Sequence, residues 1–215
     1  MTDELTALII TAASIGFLHT LLGPDHYLPF VAISKARSWS QTRTLVLTVL
    51  CGLGHVLSSV ILGLIGIAFG MAVANLESVE SIRGDLAAWA LIAFGLVYLI
   101  WGLRRATRNI HHHHHHEPDN GKTNITPWVL FIVFVLGPCE PLIPILMYPA
   151  ARSSLSGMII VASVFSIVTI ATMTTIVYML CRGFRFVPLP SLEKYSHALA
   201  GFVIFMCGVA IQFGL

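Results

Sequence analysis

Long apolar segments separated by short polar ones dominate the chain. An apolar segment of about 18 residues or more can cross the hydrocarbon core of a bilayer as a helix. Six segments meet that length, at residues 5–34, 44–73, 86–103, 127–150, 155–181 and 197–215. The pattern therefore predicts an all-α integral membrane protein with six transmembrane helices.

The composition supports a membrane protein and excludes other classes. Hydrophobic residues make up 56% of the chain and charged residues 10%, and the mean hydropathy is +0.85. Six helices with short connections leave no room for a soluble domain, so a lipid bilayer is the expected surrounding. The net charge of +2 reflects basic residues in the loops and gives no reason to expect a nucleic-acid partner. We expect no enzymatic activity.

The basic residues predict the orientation of the helices. Ten of the twelve lie in three loops, at 35–43, 104–126 and 182–196. Lys and Arg accumulate on the cytoplasmic side of membrane proteins. These loops are therefore expected in the cytoplasm, with both termini outside, and a bacterial inner membrane is the expected location.

Two similar motifs indicate an internal repeat. "GPDHYLPF" at 23–30 is echoed by "GPCEPLIP" at 137–144. With three spans in each half, the two halves run through the membrane in opposite directions, as in many transporters. We predict two inverted three-helix repeats, 1–105 and 127–215. The loop between them, 106–126, contains six histidines at 111–116, which are either a native metal-collecting tract or a purification tag.

Both motifs are expected to interrupt their helices. A continuous helix over 5–34 would extend roughly 45 Å, well beyond a core of about 30 Å. Pro24 lacks an amide hydrogen, and its ring clashes with the preceding helical turn. Non-helical backbone at membrane depth is tolerated only beside protein or a watery cavity. We therefore predict that helices 1 and 4 are broken and that "GPDHYLPF" faces an internal cavity.

Polar side chains cluster in and around the two motifs. His19 and His26 are seven residues apart and share a helix face, and His55 lies in the next helix. Imidazole, carboxylate and thiolate from several helices form the kind of site that a transition metal needs. The predicted metal ligands are His19, Asp25, His26, His55, Cys139 and Glu140.

Structural roles are the alternative for each of these residues. A histidine can instead be a core residue that is bonded to a carbonyl, and buried cysteine usually behaves as a small hydrophobe. Glu140 is equally compatible with carrying a proton. Ionisable groups inside a membrane nevertheless point to function first.

The first motif resembles a known family. "FLHTLLGPDHYLPF" together with "GLGHVLSS" is similar to the nickel/cobalt transporter superfamily, especially its small urease-accessory-type and nickel/cobalt-efflux-like permeases. In the resemblance, His19, Asp25 and His26 form the first motif and His55 the second, although five residues, not four, separate His19 from Asp25. It implies a permease that moves a divalent metal, nickel or cobalt, by alternating access with proton coupling. The ion would be cargo, and no resident cofactor is expected.

Two other functions stay open on the sequence. "LGPCEPLIP" also resembles the Pro-Cys motif of membrane electron carriers of cytochrome c maturation, where two symmetry-related cysteines do the chemistry. The corresponding alternative is a transmembrane thiol–disulfide electron carrier that uses Cys139 with Cys51. The other is an exporter of an anion or small organic solute. The metal, the direction of transport and assembly as a homo-oligomer are not fixed by the sequence.

Overall fold

The computed structural model describes residues 2–108, 125–139, 141–151, 155–183 and 194–214. Within these ranges the chain forms eight α-helices and one 3-10 turn, and no strand. The helices are α1 Thr2–Leu22, α2 Leu28–Ala36, α3 Gln41–Ala68, α4 Val73–Arg108, α5 Ile125–Leu136, α6 Leu142–Ala151, α7 Leu155–Gly183 and α8 Ser196–Gln212. The predicted all-α class is confirmed.

Among the described helices, four are long and apolar enough to cross a membrane: α1, α3, α4 and α7. The helices α5 and α8 are also apolar but shorter, with 12 and 17 residues. Large apolar side chains such as Leu22, Leu57 and Ile167 are exposed, as expected where lipid replaces water. The chain is therefore a multi-pass membrane protein. The six-span inverted repeat, the division into halves and the orientation stay predictions.

The predicted interruption of helix 1 is confirmed. After α1 ends at Leu22, the 3-10 turn occupies Pro24–His26, and α2 starts at Leu28. Pro24 stands at the start of the turn, where its missing amide hydrogen costs little. The second motif also interrupts the helix, because α5 ends at Leu136 and α6 begins at Leu142. Glu140 falls outside the described residues.

Helix α4 lies along α8, and α1 lies along α7. The α4–α8 contact depends on small residues, since a Cβ atom at Gly102 or Gly201 would collide with the backbone of the opposite helix. Glycine allows helix backbones to approach closely in membranes, where packing drives association. This packing encloses a core in which polar side chains are held away from lipid.

Helix α4 begins earlier than the apolar pattern predicted. We predicted a span from 86 to 103 with the preceding charges in a loop, but the helix starts at Val73. Glu80 and Arg83 therefore lie on α4, and Glu80 is fully buried. A hydropathy pattern places such charges in loops because it scores each residue separately. It contains no information that two opposite charges can pair inside the bundle.

Candidate functional site

Three histidines meet at the first helix break. His19 comes from the last turn of α1, His26 from the 3-10 turn and His55 from the middle of α3. One ring nitrogen from each lies within 4.8 Å of those of the other two. The ring centroid of His26 lies 4.7 Å from that of His19 and 5.1 Å from that of His55. We call these three residues the histidine cluster.

Backbone carbonyls orient two of the three rings. His55 Nδ1 lies 3.2 Å from the carbonyl oxygen of Phe134, and His26 Nδ1 lies 3.2 Å from that of Gly23. A carbonyl can only accept, so in the neutral form each Nδ1 carries the hydrogen and donates it. The lone pair of each ring is then on Nε2. The Nε2 atoms of all three histidines are buried and have no hydrogen-bond partner among the described residues. The Nε2 lone pairs of His26 and His55 are therefore available to bind a ligand.

Asp25 supports the cluster from outside. Its Oδ1 lies 3.2 Å from His26 Nδ1, and its side chain is 22% exposed. Gly23 leaves room for this arrangement, because a Cβ atom there would lie 2.6 Å from His26 Nδ1 and 3.0 Å from Asp25 Oδ1. The carboxylate therefore orients His26 and supplies negative charge, while the three imidazoles face one another.

The second break places a cysteine beside a buried ion pair. Cys139 is fully buried, and its backbone N–H donates to Glu80 Oε2 at 3.2 Å. The other carboxylate oxygen of Glu80 accepts from Arg83 at 2.6 Å. Glu80 and Arg83 are three residues apart on α4, so both side chains reach the break from the same helix face.

Arg83 joins three elements of the bundle. Besides Glu80, it donates to Ser58 Oγ at 2.6 Å and to Ser59 Oγ at 3.3 Å, both on α3. It also donates to the carbonyl oxygens of Val135 at 2.7 Å and Gly137 at 3.4 Å, at the end of α5. The guanidinium thus fixes α3, α4 and the second break relative to one another.

The two breaks face a common cavity. Its lining comprises Asp25, His26, His55, Ala87, Leu91, Val133, Phe134, Gly137, Pro138 and Ile211. The first three belong to the histidine cluster and its carboxylate, and Gly137 and Pro138 belong to the second break. Residues of both motifs therefore line one small pocket, which is partly open.

The predicted ligands do not all converge. His19, Asp25, His26 and His55 lie together, whereas the metal-type grouping found among the described residues contains the three histidines alone. Cys139 packs instead in a separate apolar cluster with Val56 and Phe165. Glu80 and Arg83 escaped the sequence reasoning; their opposite charges at a spacing of three, just before the apolar run of 86–103, were the available signal.

Comparison with known proteins assigns the family. Residues 28–210 match the family described as cytochrome C biogenesis protein transmembrane region. This match covers most of the chain. The chain belongs to that family. No curated protein matches it significantly. No solved structure does so either.

Membership of the cytochrome c biogenesis family corrects two predictions. Assignment to the nickel/cobalt transporter superfamily is wrong, because the family match is to a different group. The predicted function, a permease for nickel or cobalt, is wrong for the same reason. The short motif around His19, Asp25 and His26 has the same residue types as the metal transporters. That resemblance extends over only about twenty residues, whereas the family match extends over residues 28–210.

The family directs attention to the cysteines. None of Cys51, Cys139, Cys181 and Cys207 forms a disulfide. Cys139 lies at the second break and Cys51 lies on α3, four residues before His55; both are buried. They belong to different apolar clusters, Cys51 with Phe134 and Met173, and Cys139 with Val56. In this family member, the position that corresponds to Cys139 in the first motif is occupied by Asp25.

Proposed function

We propose that the protein is a transmembrane thiol–disulfide electron carrier in which Cys139 is the reactive thiol and Cys51 its partner. The observation that carries the proposal is the family match over residues 28–210. The position of Cys139 supports it, because the residue lies at a break in the helix and not inside a regular one. A break allows local backbone movement that a continuous helix would resist.

The exchange transfers two electrons and two protons. The Cys51 and Cys139 thiols lose both and form one S–S bond, while a disulfide on a partner protein at one membrane face gains them and becomes a dithiol. A dithiol protein at the other face then reduces the Cys51–Cys139 disulfide by the reverse reaction. Each exchange proceeds by thiolate attack through a mixed disulfide. We also propose that the protein lies in a bacterial inner membrane, with its basic loops in the cytoplasm.

A local movement has to accompany the exchange. Cys139 packs with Val56, which follows Cys51 by five residues on α3, and five residues correspond to about 7.5 Å along a helix. A disulfide needs Cα atoms about 4.4–6.8 Å apart. Because Cys51 and Cys139 belong to different apolar clusters, we propose that the second break moves toward Cys51 before the bond forms.

Thiol trapping in membranes tests the carrier. Vesicles containing the full chain are treated with a mild oxidant, quenched with a maleimide and resolved without reducing agent. We expect a Cys51–Cys139 disulfide, or a mixed disulfide through Cys139, that is lost in Cys139→Ser and Cys51→Ser. Cys181→Ser, which changes a cysteine at the far end of α7, is the control and should retain it. If no species depends on Cys139, the carrier proposal is wrong.

We also propose that the histidine cluster holds a resident transition-metal ion. The supporting observation is the set of three buried Nε2 atoms that have no hydrogen-bond partner in the part of the chain that the structure describes. Buried polar atoms are normally paired, and neutral imidazoles are common ligands for transition metals such as zinc and copper. The ion would stay in the site and would not cross the membrane.

The cluster requires a small contraction to bind an ion. Zinc–nitrogen bonds of about 2.0–2.1 Å in a tetrahedral site place two ligand nitrogens roughly 3.4 Å apart, against the present separations of up to 4.8 Å. Adjustments of roughly 1 Å at the side chains are sufficient. Asp25 and the carbonyls of Gly23 and Phe134 would then orient the ligands from the second layer, as is usual for histidine ligands.

Metal analysis of the purified full chain tests this site. The six histidines at 111–116 are replaced by glutamine so that they contribute nothing. After incubation with Zn²⁺ and dialysis, we expect about one ion per chain, as for a single closed site, and a large loss in His55→Ala. His197→Ala changes a histidine that is bonded to Tyr98 outside the cluster and should bind as the parent does. Equal zinc contents in His55→Ala and the parent would contradict the site.

A further inference from the structure

Helix α4 presents a buried ion pair to the segment that contains Cys139. Glu80 is fully buried and Arg83 is 15% exposed. We infer that Glu80 and Arg83 are positioning residues, which hold Cys139 in its enclosed location and set how readily its thiol reacts. This inference rests on the proposed role of Cys139 in thiol–disulfide exchange.

Arg83 fixes the start of the second break. The last carbonyl groups of a helix lack partners within that helix and need others. Val135 and Gly137, at the end of α5, direct two such carbonyls to Arg83. Pro138 follows and lies against Gly84 of α4, where a Cβ atom would be 2.9 Å from the proline ring. The chain entering Cys139 is therefore held by charge-assisted hydrogen bonds and by contact with α4.

Glu80 fixes the cysteine itself. The N–H of Cys139 would have no partner in the following helix, and it donates to Glu80 Oε2. Displacing Cys139 toward Cys51 breaks that bond and leaves a fully buried carboxylate with one partner fewer. Hydrogen bonds to charged groups in a buried site are among the strong ones. Movement of Cys139 away from Glu80 therefore requires the loss of a hydrogen bond to the Glu80–Arg83 ion pair.

The same ion pair reaches the helix that carries the partner thiol. Arg83 donates to Ser58 and Ser59 of α3, two turns beyond Cys51 on that helix. A movement that separates Glu80 from Cys139 therefore acts on a guanidinium that also binds α3. The pair is placed to keep the two thiols apart until the second break moves.

Thiol labelling measures this positioning directly. The full chain with Cys51→Ser and Cys181→Ser keeps Cys139 and Cys207, and both are labelled in vesicles with a small membrane-permeant maleimide. Cys207, buried in α8, reports any general loosening of the bundle. We expect Glu80→Gln to raise the ratio of Cys139 to Cys207 labelling by about tenfold, the size expected for loss of a charge-assisted hydrogen bond. Glu77→Gln, an exposed position on the same helix, is the matched control.

Two further variants keep the test decisive. Arg83→Lys retains charge but not the planar fork, and should give a ratio between those of the parent and Glu80→Gln. If Glu80→Gln folds poorly, the double variant Glu80→Gln, Arg83→Met removes the whole ion pair and leaves no unpaired buried charge; its ratio should also rise. An unchanged ratio in the double variant, or equal increases at Cys139 and Cys207, would overturn the positioning role.

Failure of the carrier proposal gives a different result. The labelling ratio needs neither Cys51 nor a partner protein, so it reports the position of Cys139 alone. Loss of disulfide trapping with a raised labelling ratio would overturn electron transfer and retain the positioning role. Normal trapping with an unchanged ratio would retain electron transfer and overturn the positioning role.

Discussion

The substitution Gly23→Ala tests the geometry of the first helix break. Gly23 has φ −88°, so alanine adopts the backbone conformation without strain. Its Cβ atom, however, would lie 2.6 Å from His26 Nδ1 and 3.0 Å from Asp25 Oδ1, whereas ordinary contacts begin near 3.4 Å. His26 must therefore move by roughly 1 Å, and its 3.2 Å contacts with Gly23 and Asp25 are lost or lengthened.

The expected cost follows from those two contacts. A buried polar group that loses its partner costs about 1–3 kcal/mol, so Gly23→Ala should lower the free energy of unfolding by about 2 kcal/mol. For a chain of this size that corresponds to roughly 4–8 °C in the unfolding temperature. If the histidine cluster holds a metal ion, loss of the groups that orient His26 should also weaken zinc binding by about 10–100-fold.

Thermal unfolding of the purified protein in mild detergent, with and without Zn²⁺, measures both effects. Gly183→Ala is the matched control, since a Cβ atom at Gly183 meets no atom of the described residues within 4 Å, and it should unfold with the parent. The reasoning about the first break fails if Gly23→Ala unfolds at the parent temperature. A lower temperature with unchanged zinc affinity would retain the steric argument and refute the metal site.

Three further predictions concern the packing around the site. Arg83→Met leaves Glu80 buried without its partner and should cost about 3–5 kcal/mol, whereas the exposed Arg104→Met should change stability by less than about 0.5 kcal/mol; denaturant titration in detergent measures both, and equal effects would contradict the buried ion pair. Ser34 and Thr44 share a 2.8 Å hydrogen bond between buried hydroxyls, so a double-mutant cycle with alanine should give a coupling of about 1 kcal/mol, and zero coupling would contradict that bond. Gly201→Leu places a side chain against the backbone of α4 and should abolish the monodisperse peak in size-exclusion chromatography; a normal peak would contradict the close α4–α8 contact.

The helix breaks could be predicted because their causes are local. Proline in the interior of a helix loses a hydrogen bond and clashes with the preceding turn, so Pro24 predicted the first interruption, and the similarity of the second motif predicted the other. The convergence of His19, His26 and His55 was also predictable. The first two share a face of one segment, and an ionisable group inside a membrane requires polar partners. Those inferences required only the order of residues along neighbouring helices.

The ion pair could not be predicted in the same way, because its cause is not local. Arg83 binds Ser58 on α3 and Val135 on α5, which are 25 and 52 residues away. Hydropathy alone favours beginning the membrane span after Glu80 and Arg83. Only the packed bundle brings a carboxylate, a guanidinium and the free carbonyls of α5 together. Their hydrogen bonds then offset the cost of burying both charges.

The error about function came from the same kind of limit. A set of imidazoles beside a carboxylate establishes that an ion could bind, but binding geometry does not distinguish an ion that is carried from one that stays. A transported ion needs donors that change partners between two states, whereas His26 and His55 are each fixed by a backbone carbonyl, and fixed second-layer contacts are typical of a retained ligand set. In the proposed carrier, the group that changes partners is the Cys139 thiol at the second break, where the backbone N–H of Cys139 donates to buried Glu80.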